Sequence, residues 1–224
     1  MAFDEPAPIL RLSRGLSVRT MLHSDAAAMA KHGNNMKITR NMSNVWPLPY
    51  TIDSAHRFIS YVRNPKEWYV TANINSDSSE PEVGEIEHSK EQGIKAPHHW
   101  VIALDDELIG CVGADFQSDV HERVLTLGYW IGEEHWGKGM MTEVMTAFVQ
   151  WVWDAYPVTE RLEARVHGWN PASMRLLRTL GFKEEARLRA AVYKFGKRCD
   201  LHMFGLVKDG IEVDTEPPDR IPES

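Results

Sequence analysis

The stretch that decides the fold is "YWIGEEHWGKGMMTEVMTAF", residues 129–148, in which an apolar run ends in a glycine-rich turn that opens a helix. The glycines of this turn are Gly132, Gly137 and Gly139. The first turn of a helix carries unpaired backbone N–H groups and a partial positive charge. Because glycine lets a ligand approach the backbone closely, the pattern is typical of an anion-binding loop, although a tight strand-to-helix connection produces the same pattern.

The composition is that of an ordinary globular protein: 224 residues, 43% hydrophobic and 25% charged, which predicts one domain. A net charge of −7 argues against a nucleic-acid-binding surface. The sequence has no apolar run near the roughly 18 residues that cross a membrane, and we expect no signal peptide. Its two cysteines, Cys111 and Cys199, cannot form a disulfide framework. We expect a cytoplasmic protein without nucleic-acid or membrane partners, present as a monomer or a homodimer.

The order of strands and helices predicts a mixed sheet. Strand 124–131, helix 140–155 and strand 161–169 form a βαβ unit, whose two strands are parallel with a right-handed crossover. A hairpin at 99–116 and a strand pair within 182–207 make the rest of the sheet antiparallel. The predicted fold class is therefore α/β (α+β), with a central, mostly antiparallel sheet that contains one parallel pair.

The chain divides by composition into a central domain and two ends. We expect an N-terminal arm at 1–14, one domain at 15–207 and an acidic, proline-bearing tail at 208–224. The polar, turn-rich segment 74–97 is predicted to be a mobile loop inserted in the domain.

Two familiar phosphate-binding motifs do not match the glycine turn. A P-loop requires G-x-x-x-x-G-K-[ST], but the residue directly after Lys138 is Gly139 instead of serine or threonine. A Rossmann fingerprint requires G-x-G-x-x-G in the first βαβ unit, whereas Gly137 and Gly139 lie late in the chain and Thr142 stands at the third glycine position. A phosphate-loop NTPase is therefore disfavoured.

Four motifs in a fixed order carry a resemblance to a known family: "GYWI" (128–131), "HWGKGMMTE" (135–143), "RLEARV" (161–166) and "NPASMRLLRTLGF" (170–182). With "WPLPYT" (46–51), they resemble the GNAT superfamily of acetyl-CoA-dependent N-acetyltransferases, and within it the ribosomal-protein-alanine acetyltransferase-like branch. The resemblance covers roughly residues 15–207, apart from 74–97. The family's pyrophosphate loop reads [RQ]-x-x-G-x-[GA], and this chain departs from it with Glu134 at the first position.

This resemblance implies a GNAT-like fold, with helices on both faces of the sheet and a parallel strand pair that splays apart after Trp130. It implies acetyl-CoA as the cofactor. The backbone of Tyr129, Trp130 and Ile131 would pair with the pantetheine arm. The pyrophosphate would lie on Gly137, Lys138, Gly139, Met140, Met141 and Thr142. Asn170 would hydrogen-bond the pantetheine, and Ser173 would lie near the thioester sulfur.

Acetyl transfer needs a neutral amine, a polarised carbonyl and a stabilised thiolate. The backbone N–H of Ile131 is a candidate donor to the carbonyl oxygen. Relatives often carry a glutamate base where this chain has Thr126. The candidate bases are therefore His121 and Glu122, with a base acting through water, or an amine deprotonated in bulk solvent, as alternatives.

The resemblance also indicates a candidate acid, and the sequence itself bears on a metal site. Relatives often carry a tyrosine where this chain has Leu177, so Ser173 is the candidate for stabilising the departing thiolate. No metal site is expected, because His98 and His99 are adjacent and point to opposite faces of a strand.

We therefore predict an N-acetyltransferase that moves acetyl from acetyl-CoA to a primary amine by direct attack in a ternary complex. The acceptor is either a protein N-terminus or a small molecule such as a polyamine, amino sugar or drug. A non-catalytic CoA-binding sensor is the alternative of a different class, and Thr126 and Leu177 motivate it.

Overall fold

The computed structural model describes residues 8–64, 69–70, 95–96, 98–212 and 214. The strands are β1 (Pro8–Arg11), β2 (Leu16–Arg19), β3 (Tyr69–Val70), β4 (Lys95–Ala96), β5 (His99–Leu104), β6 (Glu107–Phe116), β7 (Val124–Ile131), β8 (Arg161–His167), β9 (Lys183–Lys194) and β10 (Lys197–Val207). The helices are α1 (Ala26–Gly33), α2 (Met36–Thr39), α3 (Ile52–Arg63), α4 (Met140–Ala155) and α5 (Pro171–Thr179).

Eight of these strands form one sheet in the order β1-β2-β5-β6-β7-β8-β10-β9, and β3 pairs with β4 separately. The pairing of β7 with β8 is parallel, and the other neighbours in the sheet pair antiparallel. The β5–β6 hairpin turns at Asp105 and Asp106, which adopt the left-handed backbone that a two-residue hairpin turn requires. The predicted fold class, a mixed sheet with one parallel pair, is confirmed.

Helices cover both faces of the sheet and bury two separate hydrophobic clusters. The first cluster includes the apolar stripe of α4, with Val144, Phe148 and Val152 fully buried among residues of β5 to β8. The second lies on the opposite face, where Ile59 and Val62 of α3 pack with α1 and with β5 to β7. We call these the α4 face and the α3 face. Residues alternate between the two faces along each strand, as the period of a strand dictates.

The ends of the domain differ in part from the predicted boundaries. Residues 8–11 were expected in an N-terminal arm, but they form the edge strand β1, because Ile9 and Leu10 pack against the cluster of the α4 face. Apart from Lys95–Ala96, which pair with Tyr69–Val70, the predicted insertion at 74–97 lies outside the described residues.

The two parallel strands separate earlier than expected. Their register consists of three pairs and ends at Thr126 with Glu163, not after Trp130. Beyond that point β7 stays paired with β6 up to Ile131, and β8 stays paired with β10 up to His167. Because each strand keeps its outer partner, the inner edges of β7 and β8 part and leave a gap in the sheet, which begins after Thr126.

Candidate active site

The glycine turn lies at the end of β7 and opens α4. Gly137 and Gly139 have φ values of 70° and 75°, in the left-handed region that favours glycine, and Gly139 is the N-cap of α4. A Cβ atom added at either position would meet no atom within 4 Å. The backbone conformation therefore explains the glycines, and the space in front of them is open to a ligand.

The backbone donors of this turn are available to that ligand. In the part of the chain that the structure describes, no hydrogen bond uses the N–H groups of Gly137, Lys138, Gly139, Met140, Met141 or Thr142. The first helical bond of α4 runs from the N–H of Glu143 to the carbonyl of Gly139 at 3.1 Å. A 16-residue helix adds a partial positive charge at this end. The turn is thus a suitable seat for a phosphate group.

A contact from the N-terminal segment holds the first turn of α4, and we call it the clasp. The N–H and the hydroxyl of Ser13 donate to one carboxylate oxygen of Glu143, at 2.9 and 2.6 Å. The Arg14 guanidinium donates to the other oxygen at 2.7 Å and reaches the Lys138 carbonyl at 3.4 Å. These hydrogen bonds lower the pKa of Glu143 and place a cation beside the glycine turn.

Glu134, at the position where the family has arginine or glutamine, forms an ion pair with Lys31 of α1 and lies close to the buried His32, whose pKa is lowered by burial. One carboxylate oxygen lies 3.3 Å from the Lys31 ammonium and 3.4 Å from the His32 Nδ1. A ligand atom of His135 completes a group of three potential metal ligands with Glu134 and His32. The Lys31 ammonium therefore supplies a positive charge next to the Glu134 carboxylate.

The exposed edge of β7 in the gap alternates in its use of backbone groups. The N–H of Gly132 donates to Ile109 of β6 at 2.8 Å, so the even-numbered residues of β7 direct their backbone groups toward β6. The backbone groups of Tyr129 and Ile131 therefore face the gap, whereas those of Trp130 are turned toward β6. Of the three residues expected to pair with pantetheine, Trp130 is therefore the one whose backbone groups are not directed at the gap.

The carbonyl of Ile131 already has a partner. The indole N–H of Trp136 donates to it at 2.8 Å, which ties the turn back to the end of β7. The N–H of Ile131, the candidate oxyanion donor, faces the gap as the alternation requires.

A pair of hydroxyl groups spans the gap on the α4 face. The Tyr129 phenol and the Ser173 hydroxyl lie 2.7 Å apart and join β7 to the first turn of α5. Burial raises the pKa of Tyr129 to about 12, so the phenol keeps its proton at neutral pH. The sequence indicated only a backbone role for Tyr129; its side chain supplies a phenol beside Ser173, from a strand rather than from α5.

Asn170, the N-cap of α5, and Leu177 within α5 both have structural roles. The side-chain oxygen of Asn170 accepts from the Ser173 N–H at 3.3 Å and caps the helix, while its NH₂ group can donate to a ligand. Leu177, at the position of the tyrosine in relatives, is fully buried in the core.

The candidate bases lie away from the hydroxyl pair. His121 ends a short helical turn at 119–121, and both His121 and Glu122 are exposed. No hydrogen bond in the described ranges joins either residue to Tyr129 or Ser173. The Thr126 hydroxyl, next to the start of the gap, accepts from the Gln117 amide at 3.2 Å.

Aromatic side chains form a wall on the α3 face. The Trp46 ring lies 4.5 Å from the Tyr50 ring and 5.4 Å from the Trp130 ring, measured between centroids. The Lys194 ammonium, at the end of β9, donates to the carbonyls of Met42 and Ser43 at 2.7 and 3.0 Å and so holds the chain that leads to Trp46.

His98 and His99 are closer together than the sequence indicated. His98 precedes β5 in a bend, so the strand alternation that separates neighbours does not apply to it. Ligand atoms of His98, His99 and Asp115 all lie within 4.8 Å of one another. The expectation that the two histidines point to opposite faces of a strand is therefore wrong.

Comparison with known proteins decides the family. Residues 16–183 match the family model described as the acetyltransferase (GNAT) domain. The chain belongs to the GNAT acetyltransferase family. This confirms the predicted family and the enzyme class of the GNAT domain, an acetyl-CoA-dependent acyltransferase.

Two bacterial relatives of this GNAT protein carry names of the same kind. It is 33% identical over 141 residues to the uncharacterized N-acetyltransferase YoaA of Bacillus subtilis (strain 168), over 60% of this chain and 76% of YoaA. It is 32% identical over 108 residues to the uncharacterized N-acetyltransferase p20 of Bacillus licheniformis, over 48% of this chain. That match spans 60% of the length of p20.

Solved structures agree on the fold of the GNAT domain. RimL, a ribosomal L7/L12 alpha-N-protein acetyltransferase solved with coenzyme A, superposes with a TM-score of 0.65 at 17% identity, over 92% of this chain and 99% of RimL. MccE, a microcin C7 self-immunity acetyltransferase solved with acetyl-CoA and AMP, gives 0.61 at 19% identity, over 87% and 93%. Among the helices of the described residues, none has both the length and the apolarity needed to cross a membrane.

Proposed function

We propose that this GNAT protein transfers an acetyl group from acetyl-CoA to a primary amine by direct attack in a ternary complex. The gap between β7 and β8 carries the proposal, since it brings an open glycine turn and the Tyr129–Ser173 hydroxyl pair to one edge of the sheet. Acetyl-CoA supplies the activated acetyl group and the thiolate that leaves.

The described residues have separate roles in this proposal. The N–H groups of Gly137 to Thr142 bind the pyrophosphate, and each such bond to a charged oxygen contributes roughly 1.5–3 kcal/mol. The gap-facing Tyr129 carbonyl and Ile131 N–H bind the pantetheine as an added strand would. The Ile131 N–H is then no longer free for the thioester carbonyl, so the Tyr129 N–H, nearer the start of the gap, polarises that carbonyl.

The hydroxyl pair stabilises the departing sulfur. The phenol of Tyr129 stays protonated well above neutral pH, so it can donate to Ser173, whose own hydroxyl proton is then directed at the thiolate. Neither residue needs to ionise for this role. The buried Cys111, whose pKa is raised by burial, is unsuited to carry the acetyl group, which favours direct attack.

The acceptor is proposed only as a primary amine. RimL is named for protein N-termini and MccE for microcin immunity, and at 17% and 19% identity both matches speak to the fold alone. A protein N-terminus and a small amine therefore both stay in the proposal. We also propose that the protein is cytoplasmic, which the free thiols of Cys111 and Cys199 support.

Two measurements test the proposal. Thermal unfolding with acetyl-CoA, CoA and ATP identifies the ligand: acetyl-CoA and CoA are expected to raise Tm, and stabilisation by ATP alone would overturn the proposal. Release of free thiol is then followed over a panel of polyamines, amino sugars and peptides with free N-termini. Turnover of at least one amine is expected; tight binding of acetyl-CoA without any turnover would favour the CoA-binding sensor.

A further inference from the structure

The start of the gap lacks an evident proton acceptor on β7. Pairing of β7 with β8 ends at Thr126, so an acetyl group that extends from the hydroxyl pair to the start of the gap would lie beside this residue. The Thr126 hydroxyl cannot accept a proton from an ammonium near neutral pH, and it is already bound by Gln117.

The register of the sheet places Asp115 directly opposite Thr126. The two residues form a cross-strand pair of β6 and β7. The N–H of Gln117 donates to Val124, which fixes Asp115 and Thr126 as a hydrogen-bonded pair two residues further along, with Cα atoms about 5.5 Å apart. Side chains of such a pair project from the same face of the sheet.

That face is the α3 face, where an amine would approach. Asp115 lies four residues after Cys111, and Thr126 four residues before Trp130; both Cys111 and Trp130 belong to the cluster of the α3 face. The hydroxyl pair of Tyr129 and Ser173 is on the opposite, α4 face. Asp115 and the hydroxyl pair therefore flank the start of the gap from its two sides.

His99 of β5 lies beside the carboxylate on the other side. Its Nε2 lies 3.6 Å from the Asp115 Oδ1, and its ring packs on Phe58 of α3, 5.4 Å between centroids. A Cβ at Gly113 would lie 2.0 Å from the His99 Nδ1, so the absence of a side chain there leaves room for the ring. Burial lowers the pKa of His99 to about 4 and raises the pKa of Asp115. A neutral imidazole beside a carboxylate of raised pKa suits proton acceptance near neutral pH.

We propose that Asp115 accepts the proton of the acceptor ammonium and that His99 is the residue that positions its carboxylate. This assignment rests on the proposed acetyltransferase function and adds the group that the function lacks. An N–H bond of the ammonium breaks as an O–H bond forms on Asp115. The freed electron pair of nitrogen forms the C–N bond, and the C–S pair leaves with sulfur. A second proton from nitrogen neutralises the thiolate, and Asp115 returns its proton to solvent.

In the described ranges, the titratable groups that face Asp115 include two histidines. His99 faces it from β5 and His98 from the bend before β5, and Tyr61 of α3 packs against the His98 ring at 5.7 Å. On the side of the gap, Glu163 pairs with Thr126 and is bound by Arg161 at 2.9 Å. The Glu163 carboxylate is therefore turned toward Arg161 along its own strand, although Arg161 also donates to Glu185, and Asp115 is the carboxylate paired with Thr126 on β6.

The test moves the carboxylate across the strand pair. Asp115→Asn is expected to lower kcat/KM for the amine about 100-fold at pH 7, the low end of general-base effects, with the Kd for acetyl-CoA unchanged. Adding Thr126→Glu to Asp115→Asn restores a carboxylate to the same space, and we expect it to recover at least about tenfold of the loss. Asp154→Asn, on an exposed side chain of α4, serves as the control and is expected to behave as wild type.

The pH profile separates a base from a structural residue. Above the pKa of Asp115, kcat/KM of the wild type is expected to be nearly flat, since the enzyme removes the proton itself. For Asp115→Asn it should rise about tenfold per pH unit up to the pKa of the amine, because only free amine then reacts. His99→Gln should lower kcat while the KM for the amine and the Kd for acetyl-CoA stay unchanged.

Distinct results overturn the two proposals. If none of the amines in the panel makes the wild type release thiol, the proposed function and this inference are overturned together. An active wild type whose Asp115→Asn variant keeps full activity, or follows the wild-type pH profile, overturns the inference alone. Activity lost on chelation and restored by Zn²⁺ also overturns it, because His98, His99 and Asp115 would then act as metal ligands.

Discussion

The two sides of the gap are built in different ways. The proposed cofactor side consists mainly of backbone: an edge of β7 and the N–H groups of the turn that follows it, all within residues 129–142. The proposed acceptor side consists of side chains brought together from α3, β5, β6 and the chain around Trp46. A backbone site recognises a charge and a chain direction, which are common to every CoA ester, whereas a side-chain site selects one acceptor. The difference indicates that cofactor binding and acceptor choice respond to separate substitutions.

The largest effect is expected from the backbone site. Gly139→Asp should weaken acetyl-CoA binding more than about 100-fold, because it strains a residue with a φ of 75° and places a carboxylate beside the pyrophosphate. Calorimetric titration with acetyl-CoA measures it. Gly210→Asp is the matched control, since Gly210 has a φ of 85° and equally open surroundings. Equal affinities of the Gly139 variant and the wild type would remove the pyrophosphate from this turn.

The hydroxyl pair should affect turnover without affecting cofactor affinity. Tyr129→Phe and Ser173→Ala are each expected to lower kcat about tenfold, the loss of about 1.4 kcal/mol of transition-state stabilisation. Because the two groups act as one unit, the double variant should be little worse than either single variant. Tyr156→Phe removes another buried phenol, at the far end of α4, and should be neutral for kcat. Additive losses in the double variant would show that the hydroxyls act separately.

The aromatic wall offers the converse test on the acceptor side. Trp46→Leu should raise KM for the amine about fivefold, through lost contact at the wall, and leave the Kd for acetyl-CoA unchanged. Trp153→Leu is the control: Trp153 lies on α4, against the Lys208 ammonium. Steady-state kinetics at saturating acetyl-CoA measure the effect. A Trp46 variant that loses cofactor affinity instead would contradict the separation of the two sides.

The smallest effect is expected from the clasp. Arg14→Ala should weaken acetyl-CoA binding about two- to fivefold, since the guanidinium is 53% exposed and such pairs contribute at most about 1 kcal/mol. The loss should shrink as salt is added, because exposed charges are screened. Arg123→Ala breaks the comparably exposed pair with Glu160, away from the turn, and should leave the affinity alone. An Arg14 effect that is independent of salt would point to packing rather than charge.

Local pattern accounts for the parts that the sequence predicted. The bounds of β7 and α4, the cap by Asn170 and the open glycines follow from residues that are neighbours in the chain. Their spacing, periodicity and cap chemistry are determined within a few residues, so the order of motifs was enough to identify the family and the candidate cofactor turn.

Long-range packing accounts for the parts that the sequence did not predict. Arg14 reaches Glu143, more than a hundred positions away, only because β1 and β2 lie at one edge of the sheet beside α4. Asp115 meets Thr126 through strand register, and His98 meets His99 through a bend before β5. The early end of the β7–β8 pairing depends on which outer partner each strand keeps. None of these distances is encoded in a local period.

The gap also divides the sheet into two plates. In the ranges that the structure describes, β7 and β8 share three residue pairs at one end, so few hydrogen bonds between strands join the plates. The proposed acceptor pocket takes Asp115 from one plate, while the chain before Trp46 is held by Lys194 of the other. A cofactor lying in the gap would contact both plates, so we expect cofactor binding to set the width of the proposed pocket. That expectation predicts an ordered mechanism, with the cofactor bound before the amine.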